Sequence, residues 1–347
     1  MDFTLRQHGR AALHFLADLA VETGRLKTRV DAALAERGLD ESTLADDLDE
    51  RLRQVDTALA DSPTAAAFAI LAEHNGTAHG RVAAAAFEEV RDELGPKLKA
   101  LGQGPTRIEP LPGERRPDYF DVAWIHRTTG GWDGHEFQGF IHGELIHRHY
   151  VARNYPGDIF AQRRQILSVL PRQDYRRIFE IGTSSGHYTQ ALAEAFPKAE
   201  IWGCDPSPRM LEQAQRAANE RGLAWRLFVG SGERTGLDAA SFDLVTSYIV
   251  LHEIPAEATR AQLREAFRLL RPGGDVLFAD VTRYAALDKR AVRWADYGAV
   301  HGGEPFWREA ASLDLGAAAR EAGFVDVRSE GLGGGIYPWY VYGRKPA

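Results

Sequence analysis

The sequence predicts an α/β fold in which a mainly α-helical N-terminal domain precedes a mostly parallel seven-stranded sheet with an antiparallel C-terminal edge. From residue 176 onward, short apolar runs alternate with longer amphipathic segments. Such alternation is typical of a parallel sheet with helices on both faces. The last two apolar runs, 324–329 and 337–343, flank a glycine-rich turn and therefore predict a closing antiparallel pair.

The first hundred residues have a different pattern, with apolar side chains at the helical spacing of three and four. One such series is Leu44, Leu48, Leu52, Val55 and Leu59. This spacing puts the five side chains on one helix face. We assign an N-terminal domain to residues 1–150, connector included, and a second domain to residues 151–347. We expect the first domain to cover a substrate site, to form a homodimer interface, or both.

The other strands and helices of the second domain follow from the same alternation. Strands are predicted at 178–181, 200–204, 225–229, 242–250 and 275–281, and helices at 188–195, 208–221 and 256–270. The connector is punctuated by proline and glycine. We predict one short strand in it, near residues 120–125.

Composition narrows the class of protein. The 347 residues are 44% hydrophobic and 26% charged, with a formal net charge of -7. An acidic chain lacks the basic surface of most nucleic-acid and membrane partners, so neither partner is expected. No basic segment precedes an apolar run at the N-terminus, and no apolar run is long enough to span a bilayer, so we expect a cytoplasmic protein. Cys204 is the single cysteine, which excludes an intrachain disulfide.

The strongest motif lies at the end of the first predicted strand of the sheet. An acidic residue is followed by a loop of glycine and serine that opens a helix, and a cofactor can lie across such a loop because its backbone is accessible. The candidate cofactor-binding residues are Glu180, Gly182, Thr183, Ser184, Gly186 and Tyr188.

A second acidic residue, Asp205, ends the next strand about twenty residues later, followed by Pro206. A carboxylate at this place can accept hydrogen bonds from two ribose hydroxyls. The alternative is that Asp205 or Ser207 caps the following helix, and the two roles are compatible.

Two later segments complete the pattern. Gly230-Ser231-Gly232-Glu233 precedes Ser241-Phe242-Asp243-Leu244-Val245, and Arg271-Pro272-Gly273-Gly274 precedes a strand. With the first two motifs, in this order and spacing, the chain resembles the class I S-adenosylmethionine-dependent methyltransferases, whose sheet is Rossmann-like. The resemblance covers residues 176–281 well and the final strands loosely.

The resemblance implies S-adenosylmethionine as cofactor. In that family the glycine loop wraps the methionine end, and Ser184 stands where the middle glycine is usual. An aspartate that binds the adenine amino group is replaced by Ser231, so Ser231, or Glu233 in its place, is expected to make that contact, and Gly232 is a further cofactor-binding candidate. Tyr248, at the end of the fourth strand, is a further cofactor candidate.

The catalytic candidates are His252 and Glu253. Ligands bind beyond the carboxyl ends of parallel strands, where His252 lies. Its segment resembles the Leu-His-Asp-Trp stretch of small-molecule O-methyltransferases, in which the histidine is the general base, and those enzymes also carry a helical N-terminal domain. Histidine suits proton transfer near neutral pH. A structural role for His252 is the alternative. Glu253 could orient His252 or cap the next helix.

A histidine-rich segment precedes the glycine loop. It contains His142, Glu144, His147 and His149, types that bind metals. The spacing does not match the zinc-binding helix motif, and His142 and His147 should diverge on an α-helix. We expect no metal here, and favour contact with substrate or cofactor. Aromatic residues between 284 and 307 are expected to line a pocket mouth or to pack the N-terminal helices onto the sheet.

These features predict methyl transfer from S-adenosylmethionine to a small molecule, with a hydroxyl oxygen of a secondary metabolite as the preferred acceptor. Carbon or nitrogen acceptors, and a protein that binds S-adenosylmethionine for another purpose, remain alternatives. An NAD-dependent oxidoreductase would favour Gly-x-Gly-x-x-Gly and would leave the later segments unexplained.

Overall fold

An eight-stranded sheet forms the centre of the computed structural model, which describes residues 2–112, 116–122, 125–128, 130–154 and 157–347. The strands are β1 (Arg107–Pro110), β2 (Arg177–Ile181), β3 (Glu200–Asp205), β4 (Arg226–Val229), β5 (Phe242–Tyr248), β6 (Leu270–Asp280), β7 (Val325–Gly331) and β8 (Trp339–Arg344). Their order is β1-β4-β3-β2-β5-β6-β8-β7. The first six are parallel, while β8 pairs antiparallel with both β6 and β7. The predicted mostly parallel sheet with an antiparallel C-terminal edge is confirmed.

The eighth strand, β1, was not predicted. It comes from the connector and pairs in parallel with β4. Three of its four residues are exposed and only Ile108 packs against the core, so no alternation was available as a signal. The predicted connector strand near residues 120–125 is wrong where it can be compared, because Asp118–Val122 is a helix. Residues 123–124 lie outside the described part of the chain.

Helices surround the sheet. They are α1 (Gln7–Glu36), α2 (Leu48–Leu59), α3 (Pro63–Glu88), α4 (Arg91–Leu101), α5 (Asp118–Val122), α6 (Gln138–Phe140), α7 (Ala152–Asn154), α8 (Ile159–Gln165), α9 (His187–Ala195), α10 (Pro208–Glu220), α11 (Ala256–Leu269), α12 (Lys289–Gly302), α13 (Trp307–Ser312) and α14 (Leu315–Glu321). A π-helix, Ile141–Val151, joins α6 to α7. Among the helices of the described residues, none is long and apolar enough to cross a membrane.

The sheet is buried on both faces. Ile178 of β2 packs in a cluster with α9 and α10, while its neighbour Phe179 packs in another cluster with α11 and α14. Successive side chains of a strand point to opposite faces, so a strand covered on both sides is apolar at nearly every position. This is why β2 and β5 were readable as continuous apolar runs.

The N-terminal helices form clusters of their own and pack on the rest of the chain. Val30, Leu34, Val55, Leu59 and Phe68 are buried together. Two aromatic residues of α12, Trp294 and Tyr297, pack against this cluster. One of the two roles expected for the aromatic segment, packing of the N-terminal helices, is thus present.

Candidate active site

A cavity of about 650 Å³ opens where the parallel strands end. This volume is typical of small-molecule sites. One wall is formed by the loops after β2, β3 and β5. The opposite wall comes from α1, α3, α12 and the π-helix, so the N-terminal helices contribute directly to the site.

The loop after β2 is shaped by backbone conformations that leave little room for side chains. Gly182 has φ of +78°, and a Cβ there would lie 2.2 Å from Val250 Cγ2. Ser184, which replaces a glycine of the usual motif, also has a positive φ, +49°. Gly186, with φ of +86°, begins α9. The loop therefore presents backbone to the cavity.

Asp205 fastens this loop to the end of β3. Its carboxylate accepts hydrogen bonds from the backbone nitrogens of Ser184 at 2.8 Å and Ser207 at 2.9 Å. Burial raises the pKa of Asp205 to about 6. Ser207 caps α10 by accepting from Met210 N. The helix-capping alternative is therefore fulfilled by Ser207, while Asp205, with Pro206, lines the cavity.

The segment after β4 contributes Ser231 and Gly232 to the cavity wall. A Cβ on Gly232 would lie 2.3 Å from Ile181 Cγ2, so this backbone too is in close contact with β2. Glu233 is not among the described residues that line the cavity. Its carboxylate accepts a hydrogen bond from Tyr119 OH at 2.5 Å and another from Ser231 Oγ.

Glu180 and two tyrosines form the floor below the loop. Glu180 accepts a hydrogen bond from Thr189 Oγ1 at 2.6 Å, and burial raises its pKa to about 8. Tyr188 and Tyr248 are stacked with ring centroids 5.1 Å apart.

Arg163 of α8 was missed by the sequence analysis. It lines the cavity with its guanidinium 5.3 Å from the centre of the Tyr248 ring. Its Nη1 donates to Ile159 O, and it forms no salt bridge with any carboxylate that the structure describes. Nothing in the sequence of α8 sets Arg163 apart from the exposed Arg164 beside it.

His252 is buried and held by a carboxylate that the sequence analysis also missed. Its Nδ1 donates to Asp280 Oδ1 at 3.0 Å. Asp280, at the end of β6, is fully buried and accepts from the backbone nitrogens of Val250, Leu251 and Val281. Burial opposes a charge on His252, but the Asp280 carboxylate prevails and raises the pKa of His252 to about 10. A signal existed, because Asp280 ends the strand next to β5 at the ligand-binding edge.

Glu253 lies between two histidines. Its Oε1 is 3.8 Å from His252 Nε2 and 3.5 Å from His126 Nε2. Burial raises the pKa of Glu253. His126, which the sequence analysis did not single out, pairs at 2.8 Å with Glu304, which raises the pKa of His126 against the effect of burial. The residue that orients the His252 ring by a hydrogen bond is Asp280, not Glu253.

The histidine-rich segment forms another part of the wall. His142 and His147 have ring centroids 4.5 Å apart, so the prediction that they diverge is wrong. The reason is the π-helix, in which residues five apart lie on the same face. Burial lowers the pKa of both rings well below the ordinary value, so they are neutral at pH 7.

The other two members of the segment have partners elsewhere. Glu144 lies 3.7 Å from His187 and also pairs with Arg148, and His149 lies 3.3 Å from His14. Within the described ranges of the chain, no group of three or more histidine, cysteine or acidic residues could hold a metal ion.

Residues 178–274 match the family model described as a methyltransferase domain. Residues 178–274 are thus similar to a methyltransferase domain, and the sheet topology and the cavity at the ends of the strands resemble those of the class I S-adenosylmethionine-dependent methyltransferases.

The similar proteins have varied substrates. The chain is 34% identical over 135 residues to trans-aconitate 2-methyltransferase of Streptomyces avermitilis, covering 39% of this chain and 47% of that protein. It is 30% identical over 209 residues to malonyl-[acyl-carrier protein] O-methyltransferase of Halorhodospira halophila, covering 54% and 65%. The chain spans between 41% and 65% of the length of four of the curated relatives it matches.

A solved structure is also similar. Phosphoethanolamine N-methyltransferase 2 of Haemonchus contortus, in complex with S-adenosyl-L-methionine, aligns with a TM-score of 0.49 at 18% identity, covering 67% of this chain and 60% of that chain.

Proposed function

We propose that this protein transfers a methyl group from S-adenosylmethionine to a hydroxyl oxygen of a small molecule. The observation that carries the proposal is the pairing of His252 with Asp280 in the cavity that also contains the glycine loop and Asp205. A hydroxyl acceptor must lose a proton during methyl transfer. A histidine whose Nδ1 is held by a carboxylate can accept that proton on Nε2 once Nε2 has lost its own, which the raised pKa of His252 favours at high pH.

Several features of the cavity fit S-adenosylmethionine. Thr183 Oγ1 is buried without a hydrogen-bond partner within the described part of the chain, as expected of a group that meets a ligand. Asp205 retains acceptor capacity beyond its two backbone hydrogen bonds and would take the ribose hydroxyls. Gly182 and Gly232 admit no side chain, so a ligand can approach the backbone.

The methionine end carries an ammonium and a carboxylate, and the cavity offers one group of opposite charge for each. Glu180 would face the ammonium, because a nearby cation favours its ionised form. Arg163, which lacks a carboxylate partner among the described residues, would take the carboxylate. Ser231 and Gly232 would contact the adenine, while Glu233, already bonded to Tyr119, would act through Ser231.

The protein's own part in the reaction is positioning and proton transfer. The bound cofactor supplies a methyl group already activated by its sulfonium. Asp280 fixes the ring of His252, and His252 Nε2 would accept the hydroxyl proton. Glu253 lies between His252 and His126. Its carboxylate would stabilise the positive charge that develops on either ring. The N-terminal helices, which line the opposite wall, would exclude water and complete the acceptor half of the cavity. On this view the helices within residues 1–150 serve as a lid to the domain formed by residues 151–347, to whose sheet the connector adds β1.

The first test concerns Asp205. Replacing it with alanine should weaken binding of S-adenosylhomocysteine by about 1–3 kcal/mol, because hydrogen bonds to a charged acceptor are lost. Isothermal titration calorimetry measures this directly, and Asp238→Ala, which removes an exposed carboxylate, is the matched control. Tight binding of NAD with no binding of S-adenosylhomocysteine would contradict the proposed function.

The role of Arg163 can be tested with two ligands. Arg163→Met should lower affinity for S-adenosylhomocysteine about tenfold to a hundredfold, because a charge-assisted hydrogen bond is lost. Affinity for methylthioadenosine, which has no amino acid carboxylate, should stay the same. Arg164→Met on the exposed side of α8 is the control. An equal loss for both ligands would mean that Arg163 supports the fold instead.

A carboxylate acceptor is the second candidate. The raised pKa of His252 favours it, because an imidazolium ion at neutral pH attracts an anion and a carboxylate needs no base. Two relatives are named for trans-aconitate and for a malonyl group, and both of these compounds carry carboxylates. The two candidate acceptors predict opposite changes of the methylation rate with pH. Methylation of a hydroxyl should accelerate as pH rises toward 10, whereas methylation of a carboxylate should slow as His252 loses its charge.

A further inference from the structure

We infer that the acceptor molecule carries an anionic group, a carboxylate in the simplest case, which binds the ammonium of Lys27 in the helical wall of the cavity. We define the helical wall as the cavity residues Lys27, Gly76, Trp294 and Gly298, from α1, α3 and α12. The inference rests on the proposed function, since it assigns a ligand to the part of the cavity that the glycine loop after β2 does not line.

Lys27 is a cation of the helical wall without an anionic partner at ion-pair distance among the described residues. It lines the cavity with its Nζ 5.3 Å from the centre of the Trp294 ring, and forms no ion pair or hydrogen bond with any residue in the described ranges. Asp31, the carboxylate whose charge acts on Lys27, has partners elsewhere. It accepts a hydrogen bond from Trp294 Nε1 at 3.0 Å and lies 3.8 Å from Arg293 Nη1.

This arrangement leaves the partly buried ammonium of Lys27 without an ion pair to any carboxylate in the described ranges. Burial lowers the pKa of Lys27, Asp31 opposes that effect, and the positive charge of Arg293 adds to it. A charge removed from water is costly unless it is paired. An anion in the cavity would supply the missing partner, whereas a cationic acceptor would meet Lys27 and Arg293 as like charges.

The helical wall also fixes the shape of the rest of the acceptor. Trp294 is held by ring contacts with Phe68 at 5.0 Å and Tyr297 at 6.0 Å, so its position does not depend on a ligand. A Cβ on Gly298 would meet no atom within 4 Å, so space adjoins this turn of α12. The acceptor class that fits is a flat, largely apolar body with an anionic group at the Lys27 end, apart from the atom that is methylated near His252.

Two fluorescent probes of nearly the same shape test the inference. Anilinonaphthalene sulfonate is an aromatic anion, and phenylnaphthylamine is its uncharged counterpart. Both are titrated with and without S-adenosylhomocysteine. Wild type should bind the anion more tightly. Lys27→Met should weaken binding of the anion by about tenfold to a hundredfold, the usual loss of a hydrogen bond to a charged group, and leave the neutral probe unchanged. Lys27→Arg should retain the preference for the anion.

The controls separate this site from others. Lys97→Met, at an exposed position of α4, should change neither probe. Gly298→Phe should weaken both, because the ring would fill the space beside α12. An unchanged affinity of the anion for Lys27→Met, an equal loss of both probes, or probe binding that Gly298→Phe leaves intact would overturn the inference. Failure of S-adenosylhomocysteine to bind wild type would instead contradict the proposed function, and the comparison of probes would still be decisive for Lys27.

Discussion

Replacing His252 with alanine or glutamine is expected to reduce turnover by about a hundredfold to ten-thousandfold. His252 follows the fourth predicted strand, lies in the cavity beside the glycine loop, and is held by Asp280. A general base acts only in the transition state. Its removal should therefore lower kcat and kcat/KM together, while affinity for S-adenosylhomocysteine stays nearly constant. Steady-state kinetics with a hydroxyl acceptor and calorimetry on the same samples give both quantities.

Glutamine and alanine probe different properties of the site. Glutamine can still accept a hydrogen bond but cannot take a proton at neutral pH, so it should be nearly as inactive as alanine if His252 is a base. His149→Gln, on the outer side of the π-helix and paired with His14, is the control and should retain full activity. Retained turnover in His252→Gln would remove the base role and favour a carbon, nitrogen or carboxylate acceptor. Loss of turnover and of cofactor binding together would mean that His252 is structural.

The central strands could be predicted from the sequence because burial on both faces makes them apolar at consecutive positions. Phe179 and Ile181 pack toward one layer of helices and Ile178 toward the other, and the same holds across β5. β1 could not be predicted for the opposite reason. It has four residues, of which only Ile108 packs against the core, and its pairing with β4 depends on a contact more than one hundred residues away in sequence.

The half of the cavity that we propose for the cofactor was also accessible from sequence, because its residues are local to one loop and to the ends of neighbouring strands. Glu180, Gly182 and Asp205 were predicted from the glycine-loop motif and from the acidic residue that follows it at the next strand end, and all three line the cavity. Lys27 and Trp294 could not be placed in the same cavity, since they are brought together only by packing of α1 against α12. Arg163 carried no distinguishing pattern, and its importance depends on the lack of a carboxylate partner among the described residues.

The histidine-rich segment shows how a local change of helix type alters a prediction. An α-helix has 3.6 residues per turn, so residues five apart point in different directions. The π-helix closes its hydrogen bonds one residue later, and His142 and His147 meet. π-helical turns are rare and have no reliable sequence pattern, yet they occur frequently at functional sites. Here it places two neutral imidazoles on the cavity wall, each able to donate and accept hydrogen bonds.

The second large expected effect is a change in the pKa of His252 when Asp280 is replaced. Titration of ligand-free wild type by heteronuclear NMR of its histidine side chains should show one ring with a pKa of about 10, absent from His252→Gln. The ring faces Asp280 on Nδ1 and Glu253 near Nε2, with Glu304, His126 and Arg283 around them. Asp280 is the dominant anion because it touches the ring and is itself stabilised by three backbone N–H groups.

Asp280→Asn removes that charge, so the pKa of His252 should fall by several units toward or below its ordinary value of about 6.5. Burial lowers the pKa of His252, and without the Asp280 charge less opposes that effect. Asp238→Asn, at an exposed position, should leave the titration unchanged. A pKa that stays near 10 in Asp280→Asn would show that Glu253 and Glu304, rather than Asp280, hold the charge on His252.

The pairing of His252 with Asp280 also determines how the stability of the fold changes with pH. The pKa of His252 is higher in the folded chain than in the unfolded chain, so folding binds a proton, and the stabilising contribution is complete below about pH 6.5 and is lost as pH rises through about 10. The difference in Tm between wild type and Asp280→Asn should therefore narrow across this interval. Comparing the two proteins cancels the titration of tyrosine and lysine, which both share. A Tm difference that is independent of pH between 6.5 and 10 would mean that Asp280 stabilises the fold through its backbone hydrogen bonds alone, and that His252 is neutral when the protein is at rest.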